Sequence, residues 1–203
     1  MSEQELSHAH FNEAYAGVPP WEIGRPQRPF IAVADQVTSP VLDAGCGTGN
    51  ASVFFAARGQ QVTGIDFVEE AIRQARAKAA ERGFAVEFLL KDAMTLDRWD
   101  RRFQSVVDSG LFNTFAGAER QRYVKGLSHV TNPGGRLFLL SFTDEERGRG
   151  PIGTSRQGIY DSFTADWTVE TVQRVRGEVS AGFLADFPEG GPQMWFAIIR
   201  RNS

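Results

Sequence analysis

Three glycines at a strand-to-helix junction are the first residues whose spacing could serve chemistry. Gly45, Gly47 and Gly49 follow the apolar stretch PVLDAG and lead into the helix-forming stretch NASVFFAARG. Because glycine has no side chain, such a turn lets a ligand approach the backbone closely, in the crevice beyond the carboxyl ends of parallel strands. The same glycines would also suit a tight turn that binds nothing, so the neighbouring residues have to decide between the two interpretations.

Two acids accompany this turn. Asp43 stands at the end of the first strand, two residues before Gly45, where a carboxylate repels a pyrophosphate but attracts a cationic amine. Asp66 closes the next strand, QVTGID, where an acceptor-only carboxylate takes hydrogen bonds from both hydroxyls of a ribose. One acid for an ammonium and one for a ribose describe a nucleoside joined to an amino acid. The sequence therefore predicts S-adenosylmethionine (SAM) as cofactor, with S-adenosylhomocysteine (SAH) as its product.

Further motifs carry a family resemblance. The glycine motif with its leading Asp43, the acid of GIDF, the KDAM after the third strand and the VVDSGLFNTF around the fourth resemble the class I SAM-dependent methyltransferases over residues 40–142. The resemblance implies that Asp43, Gly45 and Gly47 line the methionine end and that Asp66 holds the ribose. It also places Asp92 at the adenine amine and Asp108 beside the methionine and the acceptor. The predicted cofactor-binding residues are Trp21, Arg25, Asp43, Gly45, Cys46, Gly47, Gly49, Asp66, Phe67, Asp92, Ala93, Met94 and Asp108.

The stretch PPWEIGRPQ ahead of the first strand resembles the thiopurine-methyltransferase-like branch, in which an N-terminal segment containing Trp covers the cofactor. Prolines 19, 20 and 26 restrict the backbone and lower the entropic cost of closing such a lid. Trp21 could offer its ring face to a sulfonium, and Arg25 could reach a carboxylate. Alternatively, Trp21 only fastens the N-terminal helix to the core.

The reaction expected of such a site needs little acid–base chemistry, because the sulfonium is already activated and the protein mainly aligns the nucleophile and excludes water. If a general base exists, Asp108 is the first candidate and Tyr15 the second. The predicted acceptor-binding residues are Phe11, Tyr15, Phe112, Asn113 and Phe183. His8 and His10 are expected at the surface, and no metal site is predicted.

The elements that must position these residues alternate between strand and helix. Strands are predicted at PVLDAG, QVTGID, AVEFLL, SVVDSG and RLFLLSF, and the intervening helices end at Gly59, at Gly83 and at the Pro-Gly-Gly of residues 133–135. A short helix over residues 3–15 would turn Leu6, Phe11 and Tyr15 inward. Another is expected in TSRQGIYDSF, with Thr154 and Gln157 as its capping box.

This order predicts the α/β fold class, with a Rossmann-like, doubly wound sheet of seven strands. The final pair, WTVETVQRV and MWFAIIRR, has no helix between its members and should form an antiparallel hairpin, so the sheet is mostly parallel with the last strand antiparallel. Residues 1–36 are expected to form an N-terminal helix and lid, and residues 37–203 the SAM-binding domain.

Composition excludes several other classes. The 203 residues carry a formal net charge of −3, which offers no basic surface for nucleic acid. No apolar run is long enough to span a membrane, and the polar N-terminus is unlike a secretory signal. The single cysteine, Cys46, excludes an internal disulfide, a cysteine-ligated metal and a radical-SAM cluster. These features favour a cytoplasmic protein, monomeric or homodimeric, whose partner is a small-molecule acceptor.

The predicted function is methyl transfer from SAM to O, N or S of a small, aromatic or heterocyclic acceptor. Three alternatives stay open: C-methylation of a quinone-like acceptor, methylation of an inorganic ion, and a catalytically silent SAM-binding regulator. A nicotinamide oxidoreductase fits less well, because its fingerprint is G-x-G-x-x-G, whereas here Gly49 follows Gly47 after one residue.

Overall fold

A single sheet organises the molecule. The computed structural model describes residues 8–146, 153–187 and 190–203. Seven strands of the described chain form the sheet in the order β3-β2-β1-β4-β5-β7-β6. They are β1 (Val41–Ala44), β2 (Val62–Asp66), β3 (Glu87–Leu90), β4 (Phe103–Ser109), β5 (Thr131–Phe142), β6 (Trp167–Arg176) and β7 (Gln193–Arg201). Strands β1 to β5 are parallel and β7 is antiparallel to both β5 and β6, which confirms the predicted fold class.

Helices lie on both faces of this sheet. They are α1 (His8–Ala16), α2 (Arg28–Ala32), α3 (Asn50–Ala57), α4 (Glu69–Glu81), α5 (Gly117–Val130) and α6 (Arg156–Ser162). Glycines with positive φ follow α3 and α4 at Gly59 and Gly83, as predicted, because the left-handed conformation that ends a helix costs glycine little. Of the described helices, none is both long and apolar enough to cross a membrane.

The core has a layer on each face, since successive strand residues point to opposite sides of a sheet. On β1, Val41 packs with Phe30 and Phe55 in one layer. Its neighbour Leu42 belongs to the other layer, together with Tyr123 of α5. All four residues of β1 and all five of β2 are buried, which explains why their sequences are apolar almost throughout.

The Pro-Gly-Gly sequence does not end a helix, which corrects the prediction. Helix α5 ends at Val130, and β5 begins at once with Thr131 and runs through residues 133–135. The pairing of β5 with β4 shifts register between Phe103 and Ser105, and Gly134 has a φ of +77°. These residues therefore form an irregularity inside β5, where glycine is tolerated because the ladder is locally interrupted.

The capping prediction for the last helix was one residue off. Ser155, rather than Thr154, is the N-cap of α6, and its Oγ accepts the Gly158 N–H at 2.9 Å. Thr154 instead forms a bridge with Thr143 and donates its N–H to Phe142 O at 2.9 Å. Its backbone therefore extends the pairing at the end of β5.

The N-terminal helix and the final hairpin follow the sequence pattern in outline. Phe11 is half-buried and Tyr15 is buried against Val68 and Ala71, as expected for inward positions of α1. Leu6 lies outside the described residues. Strands β6 and β7 pair antiparallel as predicted, but β7 inserts between β5 and β6.

Candidate active site

A cavity of about 820 Å³ opens beyond the carboxyl ends of β1, β2 and β4. Its size falls within the roughly 300–1,000 Å³ of typical small-molecule sites. Three further segments enclose it. The first is helix α1, the second is the segment of residues 18–27, which we call the arm, and the third is the segment of residues 177–187, which we call the wall loop. Most predicted site residues line this cavity, namely Phe11, Tyr15, Trp21, Arg25, Asp43, Gly45, Cys46, Gly47, Asp66, Phe67, Ala93 and Phe183. Six do not: Gly49, Asp92, Met94, Asp108, Phe112 and Asn113.

The glycine turn leaves no room for a side chain at two of its positions. Gly45 and Gly47 have φ values of +67° and +53°, a region that favours glycine. A Cβ on Gly47 would lie 2.6 Å from the Tyr15 hydroxyl oxygen, and a Cβ on Gly45 would lie 3.1 Å from Leu111. The turn therefore presents bare backbone to the cavity beneath α1.

Gly49, the third glycine predicted to bind the cofactor, does not line the cavity. It precedes α3 with a φ of +80°, and a Cβ there would lie 2.8 Å from the Phe88 ring and 3.0 Å from the Ala75 methyl. Because these contacts lie away from the cavity, Gly49 permits close packing between α3, α4 and β3 rather than contact with a ligand.

The two acids predicted to bind the cofactor both reach the cavity. Asp43 is buried and accepts a hydrogen bond from Ser52 Oγ at 2.6 Å, and burial raises its pKa to about 6. Asp66 accepts the N–H groups of Gly47 and Val68, each at 2.9 Å. Burial also raises the Asp66 pKa, although these backbone hydrogen bonds oppose the shift. Two partly desolvated carboxylates beside the bare turn provide a strong attraction for a cationic ligand.

The KDAM segment contributes less than predicted. Asp92 Oδ1 accepts the Met94 N–H at 2.8 Å and so caps the 3-10 helix Ala93–Arg98. Met94 packs against the core. Of the three predicted residues only Ala93 lines the cavity, together with Lys91, whose ammonium lies 5.0 Å from the centre of the Trp99 ring.

Asp108, predicted as the first candidate for a general base, does not line the cavity. Its side chain is fully buried and accepts the N–H groups of Leu111 and Phe112 and the hydroxyl of Tyr123, the last at 2.8 Å. Burial raises its pKa to about 7. Asp108 pairs in register with Ala44, whereas Asp43 pairs with Val107, so the two acids point to opposite faces of the sheet. Asp108 therefore fixes the loop after β4 from beneath.

Phe112 and Asn113, which were predicted to bind the acceptor, do not line the cavity. Both are fully buried. Phe112 stacks on Phe163 with ring centroids 5.6 Å apart. Asn113 Oδ1 accepts hydrogen bonds from Ser141 Oγ at 2.5 Å and from Phe142 N at 3.0 Å, which ties the loop after β4 to β5.

Tyr15 and Trp21 contact each other and line the cavity together. Trp21 Nε1 donates to the Tyr15 hydroxyl at 3.1 Å, with ring centroids 6.0 Å apart. Burial and the nearby charge of Asp66 raise the pKa of Tyr15. A hydroxyl that holds its proton so firmly can donate a hydrogen bond, but it is a poor general base.

Glu22 joins the arm to the glycine turn. The sequence reasoning missed this residue. Its carboxylate accepts hydrogen bonds from Thr48 Oγ1 and from Asn50 Nδ2, the latter at 2.8 Å, and lies 3.5 Å from Lys78 Nζ. Burial works to raise the Glu22 pKa, but these hydrogen bonds and the Lys78 charge hold it below its ordinary value. Glu22 directly follows Trp21 in the sequence, so its position in the arm was a signal that could have identified it.

Arg25 joins the arm to the wall loop. Arg25 forms two hydrogen bonds with the Glu178 carboxylate, at 2.6 and 2.9 Å. This pairing differs from the prediction that Arg25 reaches a cofactor carboxylate. Glu178 stands 153 positions further along the chain and carries no local motif, so the sequence offered no signal for the pair.

The far end of the cavity is apolar. Its lining residues come from the ends of β5 and β7 and from the wall loop, and include Leu140, Phe142, Val179, Phe183, Phe187 and Met194. Phe183, which was predicted to bind the acceptor, is thus one of the lining residues. Aromatic and aliphatic side chains of this kind suit a flat, largely apolar molecule.

The amino-acid sequence is similar to those of known enzymes. A family model described as "Methyltransferase domain" matches residues 41–135. A 2-heptyl-1-hydroxyquinolin-4(1H)-one methyltransferase of Mycobacteroides abscessus is 32% identical over 197 residues, which cover 94% of this chain and 85% of that protein. The chain belongs to the class I SAM-dependent methyltransferases. It is accordingly a SAM-dependent enzyme of the small-molecule type, whereas its place in the thiopurine-methyltransferase-like branch remains a prediction.

Solved structures share the fold. A structure from work on the conversion of a disulfide bond into a thioacetal group during echinomycin biosynthesis has a TM-score of 0.79 and 30% identity, covering 98% of this chain and 90% of that one. The 1,6-didemethyltoxoflavin-N1-methyltransferase of Burkholderia thailandensis, solved with SAH, has a TM-score of 0.74 and 22% identity, covering 96% of this chain and 87% of that one.

The residues of this methyltransferase fit SAM. The cavity joins a bare glycine turn, two buried carboxylates and an apolar end within one enclosed space. Each of the two carboxylates retains lone pairs beyond the hydrogen bonds that Asp66 accepts from Gly47 and Val68 and that Asp43 accepts from Ser52. Across the part of the chain that the structure describes, no three His, Cys, Asp or Glu side chains form a group that could hold a metal ion.

Proposed function

We propose that this methyltransferase transfers the methyl group of SAM to O, N or S of a small, flat, aromatic or heterocyclic acceptor. The observation that carries the proposal is a single cavity lined both by the carboxylates of Asp43 and Asp66 and by mostly apolar side chains of β5, β7 and the wall loop, among which Glu178 and Asp186 also lie. The carboxylates of Asp43 and Asp66 suit a cationic amino-acid nucleoside, and the apolar side chains suit an apolar ring.

Asp43 and Asp66 are the residues proposed to hold the cofactor, Asp43 at the ammonium group and Asp66 at the ribose. Phe67 and Ala93 line the same region of the cavity and would flank the adenine. When bound, SAM supplies a methyl group on a positively charged sulfur. The protein's part is to hold the acceptor in line with that group, a contribution worth up to roughly 7–11 kcal/mol.

The arm is proposed to exclude water from the site. Trp21 is 39% exposed, so one side of its ring faces outward while the side chain lines the cavity and contacts Tyr15. Its closure over the cavity would remove competing water and strengthen the attraction between the carboxylates and the cationic cofactor. Prolines in the arm limit the conformational entropy lost on closure.

The acceptor is proposed to lose its proton readily. Asp108 is buried beneath the site and Tyr15 holds its proton, so neither predicted base is placed to assist. This favours acceptors with an acidic N–OH, phenol, thiol or ring N–H group. The named substrate of the Mycobacteroides abscessus relative, a 1-hydroxyquinolin-4(1H)-one, has an acidic N–OH on a flat ring.

The proposal can be tested with purified protein and a panel of acceptors. SAH release and methylated product would be measured with N-hydroxyquinolinones, acidic phenols, heteroaromatic thiols, a reduced naphthoquinone and iodide. We expect turnover on at least one ring acceptor at O, N or S and none with an Asp66→Ala variant. Product methylated only at carbon of the quinone, or only on iodide, would overturn the acceptor class. Tight SAH binding without turnover on the whole panel would favour a regulator instead.

A further inference from the structure

The arm is attached to two different parts of the cavity. Glu22 joins the arm to Thr48 and Asn50 beside the glycine turn. Arg25 and Gln27, three and five residues later, join it to Glu178 in the wall loop. The arm therefore connects the cofactor end of the cavity to the acceptor end.

The second attachment is unusually dense. The Gln27 side-chain amide forms a reciprocal pair with the Glu178 backbone, donating to its carbonyl at 2.9 Å and accepting its N–H at 2.8 Å. The Glu178 carboxylate binds Arg25 at 2.6 Å and Arg28 at 3.1 Å. Ser180 donates its N–H to Pro20 O at 2.8 Å. Gln27 is buried, so its two hydrogen bonds are shielded from solvent, whereas the ion pairs of Glu178 involve exposed arginines and contribute less.

The wall loop depends on this attachment for its position. After Ser180 it forms a single 3-10 helix, Ala181–Asp186, none of whose residues is buried. Its aromatic residues Phe183 and Phe187 nonetheless line the apolar end of the cavity. With so little buried surface of its own, the segment gains its order from the arm on one side and from β7 on the other.

We infer that Glu178 and Gln27 are positioning residues that couple cofactor binding to the assembly of the acceptor subsite. Cofactor at the glycine turn stabilises the arm through Glu22 and Trp21, and the arm in turn holds the wall loop with Phe183 and Phe187 facing the cavity. The coupling is reciprocal, so a ring acceptor against the wall loop tightens cofactor binding by the same factor. The inference rests on the proposed function in assigning the apolar end to the acceptor.

The test is amide hydrogen exchange with SAH as the only added ligand. In the wild-type protein, SAH should slow exchange both at the glycine turn and in the wall loop, where the Glu178 and Ser180 amides donate directly to the arm. The double variant Glu178→Ala with Gln27→Leu should lose the SAH effect on the wall loop and keep it at the turn. Glu178→Asp, which preserves the carboxylate, should retain part of it.

Glu170→Ala is the matched control. Glu170 also binds two arginines, Arg136 at 2.9 Å and Arg200 at 3.2 Å, but it lies on β6, away from the cavity. This variant should show the full SAH effect at both segments. Wall-loop protection that persists in the double variant, or that is absent from wild type while the turn is protected, overturns the coupling alone. Absence of protection at the turn as well overturns the assigned cofactor site, and the coupling with it.

Discussion

Tyr15 lies over Gly47 so closely that a Cβ on the glycine would come within 2.6 Å of the tyrosine hydroxyl oxygen. This contact fixes the distance between α1 and the glycine turn, and therefore the space left for a ligand between them. It also means that α1, which precedes the motif-bearing part of the chain, takes part in shaping the cofactor site. Gly47 is thus constrained twice, by its φ of +53° and by the ring above it.

Gly47→Ala should therefore weaken SAH binding by at least about tenfold, because the new methyl displaces Tyr15 and strains the turn. Isothermal titration calorimetry measures the affinity. Gly59→Ala is the control, since Gly59 also has a positive φ, +82°, but has nothing within 4 Å of its added Cβ. That variant should lose stability and keep its affinity. Equal losses of affinity in both variants would show that backbone strain alone, rather than Tyr15, explains the effect.

Asp43 should make cofactor binding depend on pH. Its pKa of about 6 means that it becomes protonated as the pH falls through this value, so SAH affinity should drop by about tenfold per pH unit below about 6. Asp43→Asn should bind SAH weakly and with little dependence between pH 5 and 8. A wild-type affinity that is flat over this range would contradict the assignment of Asp43 to the ammonium group.

Without ligand, the raised pKa of Asp43 makes the stability of the fold depend on pH in the opposite direction, so that stability decreases as the pH rises. The folded-state value lies above the ordinary 3.8, so the contribution of Asp43 to folding is complete below pH of about 4 and is lost as the pH rises through about 6. Thermal unfolding with and without SAH should consequently separate the two effects. Added SAH should raise the melting temperature more at pH 8 than at pH 5.

Asp108→Asn should affect stability more than catalysis. The amide cannot accept all three hydrogen bonds from Leu111, Phe112 and Tyr123, which should cost about 1–3 kcal/mol of unfolding free energy. The pH dependence of kcat should keep its shape, as it should in the control Asp100→Asn, whose side chain is exposed. Loss of the acidic limb of the profile with unchanged stability would restore Asp108 as a general base.

Trp21→Ala should weaken SAH binding and slow turnover, because it removes a cavity-lining ring and the hydrogen bond to Tyr15. Trp21→Phe keeps an aromatic ring without the Nε1 donor and separates the two contributions. Calorimetry and steady-state kinetics measure both. Unchanged affinity and turnover in Trp21→Ala would exclude a lid role and leave Trp21 as a contact that fastens α1 to the arm.

Phe183→Ala should raise the acceptor KM several-fold while leaving the SAH dissociation constant within about twofold of wild type, since truncating one ring removes apolar contact worth roughly 1–3 kcal/mol. Leu184→Ala, on an exposed neighbour that does not line the cavity, is the control. A larger effect on SAH than on the acceptor would place Phe183 at the wrong end of the cavity.

The fold and the cofactor motifs were predictable because their signals are local. Strands β1 and β2 are short, buried segments that carry Asp43 and Asp66 at or next to their last residue, and each is followed by a helix with its own stop signal. The glycine turn follows directly from the residue types. The Pro-Gly-Gly of residues 133–135 misled because the same residues that end helices also occur at irregularities within strands.

The errors at the site have a geometric origin. Asp43 and Asp108 both stand at strand ends, but their register with the neighbouring strand differs by one residue, and a difference of one residue moves a side chain to the other face of the sheet. Register between strands 65 positions apart is not encoded locally. The Arg25–Glu178 pair was hidden for the same reason, because a contact across 153 positions depends on the completed fold.

The position of β7 has a consequence for synthesis. Strand β6 reaches the sheet only through β7, which follows it in the chain. On the ribosome, β6 therefore emerges before the strand that must accommodate it, and its hydrogen-bonding groups stay open to other nascent segments until residues 193–201 have left the exit tunnel. Chaperone binding to this interval during translation would protect the chain at its most vulnerable stage.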